Sequence, residues 1–446
     1  MNRFIAAAVA AIATAGAAQA GGLDRSGQSI LALFDPEDTL AFSITHVNPD
    51  LKGEDVNGPG SYDAGDSYTN YQFSYANRLN DRFSYALIAD QPFGADIFYD
   101  DDPATSALGG TLADIDSDAV SLLGRYEITN RFSVFGGLRA QKVSADIALN
   151  GRAYANAISA AGVARGINAR NPAADVSAAD VGAALQFASG VMTEETQAAF
   201  GAVSAAVGGP GNFAAAVAQP FQGSVGAFDA AGGYSLEAED DWSLGLTLGA
   251  AYEIPEIALR FVATYHSEIG HDLRTSEVLG PLPASLGLPV DTVLEDRVRF
   301  ATPQSVNLEF QTGVAEDTLL LAGLRWTDWD DFDVIPTNLG ADLADIDDSY
   351  RWSLGVARRF TPNLIGLASL TYEHDNGNDS VSPLGPNDGQ IGLSVGGRYS
   401  TENVAVSAGV NYTKVGSAYA GVGGNRAALF DDSSAVGLAF KVSYEF

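Results

Sequence analysis

The chain has 446 residues, with 56 acidic against 24 basic side chains and a formal net charge of −32. That charge excludes a nucleic-acid partner on electrostatic grounds. With no cysteine in the sequence, disulfides and thiolate metal sites are excluded too.

The N-terminus reads as a secretory signal peptide over residues 1–20. Arg3 supplies the positive charge, Phe4 to Ala15 the short apolar stretch, and Ala18-Gln19-Ala20 the small-residue cleavage site. The mature chain is expected to start at Gly21, with 23 basic residues against 56 acidic and a net charge of −33. Beyond residue 20 there is no run of 18 apolar residues, so no transmembrane helix is expected. If the chain spans a membrane, it must do so as a closed barrel, the other structure that satisfies its backbone in lipid.

Residues 21–37 alternate poorly. Strands are then predicted at 39–47, 68–79, 82–99, 113–128, 131–149, 241–253 and 256–273. Seven more follow at 296–312, 317–328, 349–360, 364–374, 390–399, 403–414 and 435–446. Short polar turns such as Asn80-Asp81 and Thr129-Asn130 alternate with long connections, among them 48–67, 150–240 and 415–434. Short turns on one side and long loops on the other are the plan of an outer-membrane barrel. An even count of about fourteen strands puts both termini on the periplasmic side.

Within strands the alternation assigns faces. Leu320, Ala322, Leu324 and Trp326 oppose Gly323, Arg325 and Thr327, and Tyr350, Trp352 and Leu354 oppose Arg351 and Ser353. Arg on the lipid face at mid-membrane costs about 2–4 kcal/mol, so Arg260, Arg325 and Arg351 are expected to point inward. Trp326, Trp352, Tyr350 and Tyr265 read as interfacial girdle residues. The connection 150–240 is Ala-rich, with helices expected at 152–165, 177–187, 193–207 and 213–218. Thr193-Glu194-Glu195 is a plausible helix start. Short helices packed over the barrel mouth are expected there.

The last twelve residues place Val436, Leu438, Phe440, Val442, Tyr444 and Phe446 on one face. They suffice for a tilted membrane strand of roughly 9–11 residues. Ending on Phe446 resembles the terminal signal of bacterial outer-membrane barrels, so the barrel assembly machinery is an expected partner.

Several segments together resemble the FadL-type outer-membrane long-chain fatty acid transporter family. They are SLLGRYEITNRFSVFGGLRAQKVSADI (121–147), ALRFVATYHSEIGHDL (258–273), TPQSVNLEF (302–310), LRWTDWDDF (324–332) and DDSYRWSLGVARRF (347–360). The resemblance implies an all-β, monomeric barrel of fourteen antiparallel strands over 39–446, with an N-terminal hatch over 21–38. Ser26, Gly27, Gln28 and Ser29 resemble the start of that hatch. The hatch is shortened, because Asp35-Pro36-Glu37 leads straight into Thr39 where family members carry an Asn-Pro-Ala motif. Asp347 stands near where some members place a Lys against the ligand head group. Pro92, Phe93 and Gly94 match an expected inward kink in the third strand that opens the wall sideways: Pro92 cannot donate to the ladder and Gly94 tolerates unusual backbone angles.

The expected function is passive outer-membrane transport of hydrophobic compounds, foremost long-chain fatty acids, in a Gram-negative cell. Arg139, Arg260, Arg325 and Arg351 are the candidate ligand-binding residues, since Arg presents a fixed fork of donors to a carboxylate. Structural ion pairing with lumen acids is the alternative for each. A general porin is the alternative function; it would need an unplugged lumen. Catalysis is not expected: His266 and Ser267 are adjacent and point to opposite faces, and there is no G-x-S-x-G elbow. No cofactor or metal is expected, because the acidic clusters at 100–102 and 328–333 lack EF-hand spacing.

Overall fold

A computed structural model describes residues 23–35, 38–344 and 346–446. The expected signal peptide and Gly21 lie outside the described residues, as do Pro36 and Glu37. None of the described helices is long and apolar enough to cross a membrane.

In chain order the strands are β1 Thr39–Asp50, β2 Lys52–Asp55, β3 Ser61–Asp63, β4 Tyr68–Asn80, β5 Phe83–Asp90, β6 Gly94–Phe98 and β7 Leu112–Glu127. Next come β8 Phe132–Leu149, β9 Tyr234–Ile254, β10 Leu259–His266, β11 Ile269–Leu279, β12 Val293–Thr302, β13 Ser305–Ala315 and β14 Thr318–Thr327. The last are β15 Ser349–Thr361, β16 Leu364–Glu373, β17 Gln390–Ser400, β18 Val404–Val415, β19 Ala418–Val422, β20 Asn425–Phe430 and β21 Ser434–Glu445. Seventeen of these form one antiparallel sheet. Three wall strands are each broken in two, as β5/β6, β10/β11 and β12/β13, so the wall has fourteen strands. β21 pairs with β1 from Thr39↔Glu445 to Asp50↔Ser434. The sheet therefore closes on itself as a barrel.

Period-two alternation decides which face each side chain takes. Leu244, Leu246 and Leu248 of β9, Trp352 and Leu354 of β15, and Leu438 and Phe440 of β21 are all exposed on the outside. Arg139, Arg260 and Arg325 are buried inside. An outward belt of this size is stable only against lipid. Tyr265 and Trp352 lie on the outer face near strand ends.

The long connections fold over one mouth. Residues 151–231 form helices at Gly151–Arg170, Ala178–Ala188, Glu194–Ala206 and Gln219–Ala231. Ser177 and Thr193 cap two of them through reciprocal capping boxes, worth about 1 kcal/mol each. Val163, Ile167, Val181, Val203 and Val217 give this unit its own core. Tyr154, Ile158 and Phe228 join it to a larger cluster with Tyr62, Tyr99 and Phe430 under the loops. β2, β3, β19 and β20 form a second small sheet in that cap.

Some boundaries differ from the sequence reading. β9 begins at Tyr234 rather than Asp241. A register shift opposite Val143 and Ala145 changes the phase of its alternation, so Leu236 and Ala238 sit out of step with Leu244. The expected single strands 256–273 and 296–312 are each interrupted, at Ser267-Glu268 and at Pro303-Gln304. The region 213–218 is mostly a π turn feeding the last helix. The loops 48–67 and 415–434 contain the small sheet, whose short strands carry too little alternation to be seen in sequence.

Candidate functional site

Inside the upper barrel lies an apolar cavity. Its walls include Val143 and Ile147 of β8, Leu236 of β9, Leu273 of β11 and Val298 and Phe300 of β12, roofed by Trp329, Phe332 and Leu384 from the loops. Leu23 of the N-terminal segment and Phe93 of the third wall strand also line it. Phe93, Trp329 and Phe332 form a chain of edge-on rings, with centroids 5.4 Å apart at each step. Among the described residues no charged side chain lines the cavity. It encloses about 60 Å³ of free space. An apolar cavity that holds benzene measures about 150 Å³, so a cargo of that size must displace lining side chains.

Beside the cavity the wall is broken. β4 pairs with β5 only as far as Phe73↔Ala89. β5 ends at Asp90 and β6 resumes at Gly94. Residues 69–72 keep their ladder with β1, and among the described strands none pairs with them on the other side, where Tyr71 N donates instead to the Gln91 side-chain oxygen at 3.0 Å. The gap is closed below by the Phe73 pairing. Above it, Phe98 N donates to Ala64 O at 3.0 Å and Asp66 N to Asp96 O at 3.0 Å.

The N-terminal segment takes the place of the missing strand. Asp24 and Phe93 form an antiparallel bridge. Arg25 N donates to Pro92 O at 2.8 Å, and Gly94 N to Leu23 O at 2.8 Å. Both groups would otherwise be orphaned at a membrane-level edge, where each costs several kcal/mol.

Side chains hold the segment in place. Asp24 bonds Arg325 and lies 3.8 Å from Arg351. Arg25 pairs with Asp96 and reaches Asp116 at 3.4 Å. Ser26 Oγ donates to Asp90 at 2.6 Å, and Arg139 bonds the same carboxylate at 3.2 Å. Asn307 donates to Gly27 O at 2.9 Å, and Ser305 to Gln28 Oε1 at 2.8 Å. Gln28 holds a φ of 53°, a left-handed conformation that costs a non-glycine residue about 1–3 kcal/mol. Its side-chain bonds to Ser305 and Arg325 offset that cost. Ser29 Oγ accepts from Leu31 N in its own turn, at 3.4 Å.

Below the cavity the lumen turns polar. Ile30 and Leu33 are buried against Ala86, Ile88, Leu123 and Phe135. Phe34 sits between the guanidinium groups of Arg125 and Arg260, 4.4 and 5.0 Å from its ring centroid. Asp35 follows. Burial pushes its carboxyl above the usual range, while Lys441, Arg398 and Arg260 pull it down.

None of the four candidate arginines lines the cavity; Arg139, Arg325 and Arg351 lie beside the N-terminal segment at Asp90 and Asp24, and Arg260 lies lower, against Phe34. Arg139 pairs with Asp90, and Arg325 with Asp24. Arg351 bonds Glu373 at 3.2 Å, and Arg260 donates to Gln311 at 3.1 Å. Sequence reasoning missed the partner acids Asp24, Asp90, Asp96 and Glu373, and missed Arg25 altogether. The signal was present: Asp24-Arg25 is a charged pair directly before the Ser26–Ser29 segment.

A family model described as outer membrane protein transport protein (OMPP1/FadL/TodX) matches residues 29–446. Among curated proteins nothing matches the chain. Among solved structures, a Pseudomonas aeruginosa FadL homologue superposes with a TM-score of 0.65 at 14% identity, covering 99% of this chain and 98% of that one. The Pseudomonas putida toluene transporter TodX gives 0.58 at 13% identity, with 98% of each chain covered. The Ralstonia pickettii toluene transporter TbuX gives 0.54 at 12% identity, over 99% of this chain and all of that one, 100%. At these identities the likeness establishes the fold.

Proposed function

Since the chain belongs to the OMPP1/FadL/TodX family of outer-membrane transport proteins, we propose that it carries neutral hydrophobic compounds of about the size of a small aromatic hydrocarbon. The observation that carries this reading is the cavity lining, which is apolar and offers a charged head group no partner among the described residues. A long-chain fatty acid needs a cation for its carboxylate. The four inward arginines are already engaged by protein groups, and Asp347 at the loop entry is itself an acid held by Asn378. Two proteins that share the fold, TodX and TbuX, are toluene transporters.

Cargo enters under the loops, occupies the cavity and leaves sideways through the gap between β4 and β6. The downward route crosses Phe34, its two arginines and the Asp35 cluster. An apolar cargo forced into a polar, hydrated passage loses about 0.8 kcal/mol per exposed methylene; lateral release into lipid avoids that loss. A general porin is disfavoured, because the N-terminal segment fills the lumen at the level of Ile30 and Leu33. The protein acts as a monomer, with outer-membrane lipid as the acceptor.

Uptake into cells carrying the barrel tests the cargo class. Toluene uptake is expected to accelerate and oleate uptake to stay at the background rate. Equal acceleration of oleate overturns the assignment to neutral cargo.

A further inference from the structure

Four residues with polar side-chain groups line the cavity, and three of them are already bonded within the protein. Ser117 Oγ donates to Phe93 O at 2.7 Å and accepts from Phe93 N at 2.8 Å. Thr302 Oγ1 accepts from Gln141 Nε2 at 3.1 Å and donates to Ile269 O at 3.4 Å. Ser382 Oγ donates to Leu343 O at 3.2 Å and accepts from Leu384 N at 3.3 Å. The fourth is Trp329 in the roof. It is 1% exposed, and its indole Nε1 has no partner among the described residues. Trp326, three positions earlier, differs: its Nε1 donates to Asp348 at 2.9 Å.

An indole N–H only donates. Phe93 and Phe332 flank the ring edge-on, with centroids 5.4 Å away, and rings of that kind offer a donor at best a weak N–H···π contact. A buried donor without an acceptor costs about 1–3 kcal/mol. We propose that Trp329 Nε1 is the polar recognition point of the cavity, and that the preferred cargo is a compact neutral aromatic carrying one oxygen acceptor, such as an aryl ketone, ester or ether. The inference rests on the neutral-cargo reading above and narrows it. Apolar ligand sites fix orientation with a few such polar groups. A guest oxygen on Nε1 satisfies the orphan donor. A hydrocarbon of the same shape leaves it unpaired, and that asymmetry is how a hydrogen-bonding site discriminates best. The same donor sorts charged guests. A carboxylate brings a full charge to a single neutral donor, far short of what a buried anion needs. An ammonium group brings a charge and only donors to a site whose free group is itself a donor.

Binding of acetophenone and α-methylstyrene to the purified barrel tests this. The two are isosteric, with C=O in one where the other has C=CH2. Trp329→Phe keeps a ring in the roof and removes the donor. It is expected to weaken acetophenone about fivefold to tenfold and α-methylstyrene less than about twofold. Comparing each compound between the two proteins cancels their different solubilities. Equal weakening of both, or no change in either, overturns the role of Trp329. The carbonyl stretch of acetophenone bound to wild type covers the case where Trp329→Phe lowers barrel yield. A stretch shifted down, as in an alcohol, is expected; the higher frequency found in hexane overturns the hydrogen bond. If wild type binds neither compound, the cavity is no site for neutral cargo, and the functional reading itself fails.

Discussion

Two of the interruptions in the wall ladder beside the cavity are filled differently. Between β4 and β6 the missing hydrogen bonds are made by another segment of chain, Leu23 to Arg25. Between β9 and the seventh wall strand, pairing stops at Thr247↔His266 and resumes at Ala238↔Thr275. There the strand's own residues fill the seam. Ile269 packs against Gly245, where a Cβ would collide with it, and His271 lies 3.6 Å from Asp241 while stacking on Phe300. A break filled by its own side chains is a bend. It can open only if the strand itself moves. A break filled by a tethered segment can open while every wall strand stays paired. That difference is why we propose the first gap, and not the second, as the exit.

The sharpest way to break the comparison is to remove the filler. Deleting Leu23–Gln28 should leave the β6 edge unpaired and unblock the lumen. In planar bilayers the deletion variant is expected to show large, steady conductance where the full chain shows little. A silent deletion variant would place the barrier elsewhere.

A second variant closes the first gap instead. Pro92→Thr with Gly94→Val, compared in an Arg25→Ala background because a Cβ at 94 would otherwise run into the Arg25 guanidinium, restores a ladder donor and favours extended backbone. Toluene uptake should fall about tenfold, corresponding to roughly 1.4 kcal/mol on the barrier, while binding of a fluorescent apolar probe to purified barrel persists.

Loosening the filler without deleting it is the intermediate case. Arg325→Ala leaves Asp24 buried beside Arg351 alone, and breaking a buried pair costs about 3–5 kcal/mol. The segment should spend more time undocked. A cysteine placed at Ser29 should then react faster with an aqueous maleimide than in the parent background.

The smallest effect on transport is expected at the second break. Ile269→Ala removes a side chain that is 2% exposed and should cost about 2–5 kcal/mol of stability. The barrel's unfolding temperature should drop with toluene uptake unchanged. A change in uptake without loss of stability would make the seam a second passage.

The fourteen-strand barrel was legible because lipid on one side and a packed lumen on the other impose a strict period of two. Leu320–Trp326 and Val436–Phe446 show it without interruption. The helices of 150–240 were legible from Ala content and from Thr193, which caps as its position suggested. What failed to show is long-range. The partners of Arg139 and Arg325 come from Asp90 and Asp24, the latter 301 positions away. No local pattern states that the Asp24-Arg25 pair feeds opposite faces, one to the lumen arginines and one through the wall. The bulge in β9 was hidden because the run Glu237–Asp241 is acidic across the shift in phase.

Photo-crosslinking during uptake tests the central claim, release through the wall, most directly. A photoreactive residue placed at Asn70, on the unpaired edge of β4, should capture a toluene analogue in cells, while one at Arg398 in the lower lumen should capture none. Adducts at position 398 with none at position 70 would show that cargo descends through the lumen, and the account would be wrong.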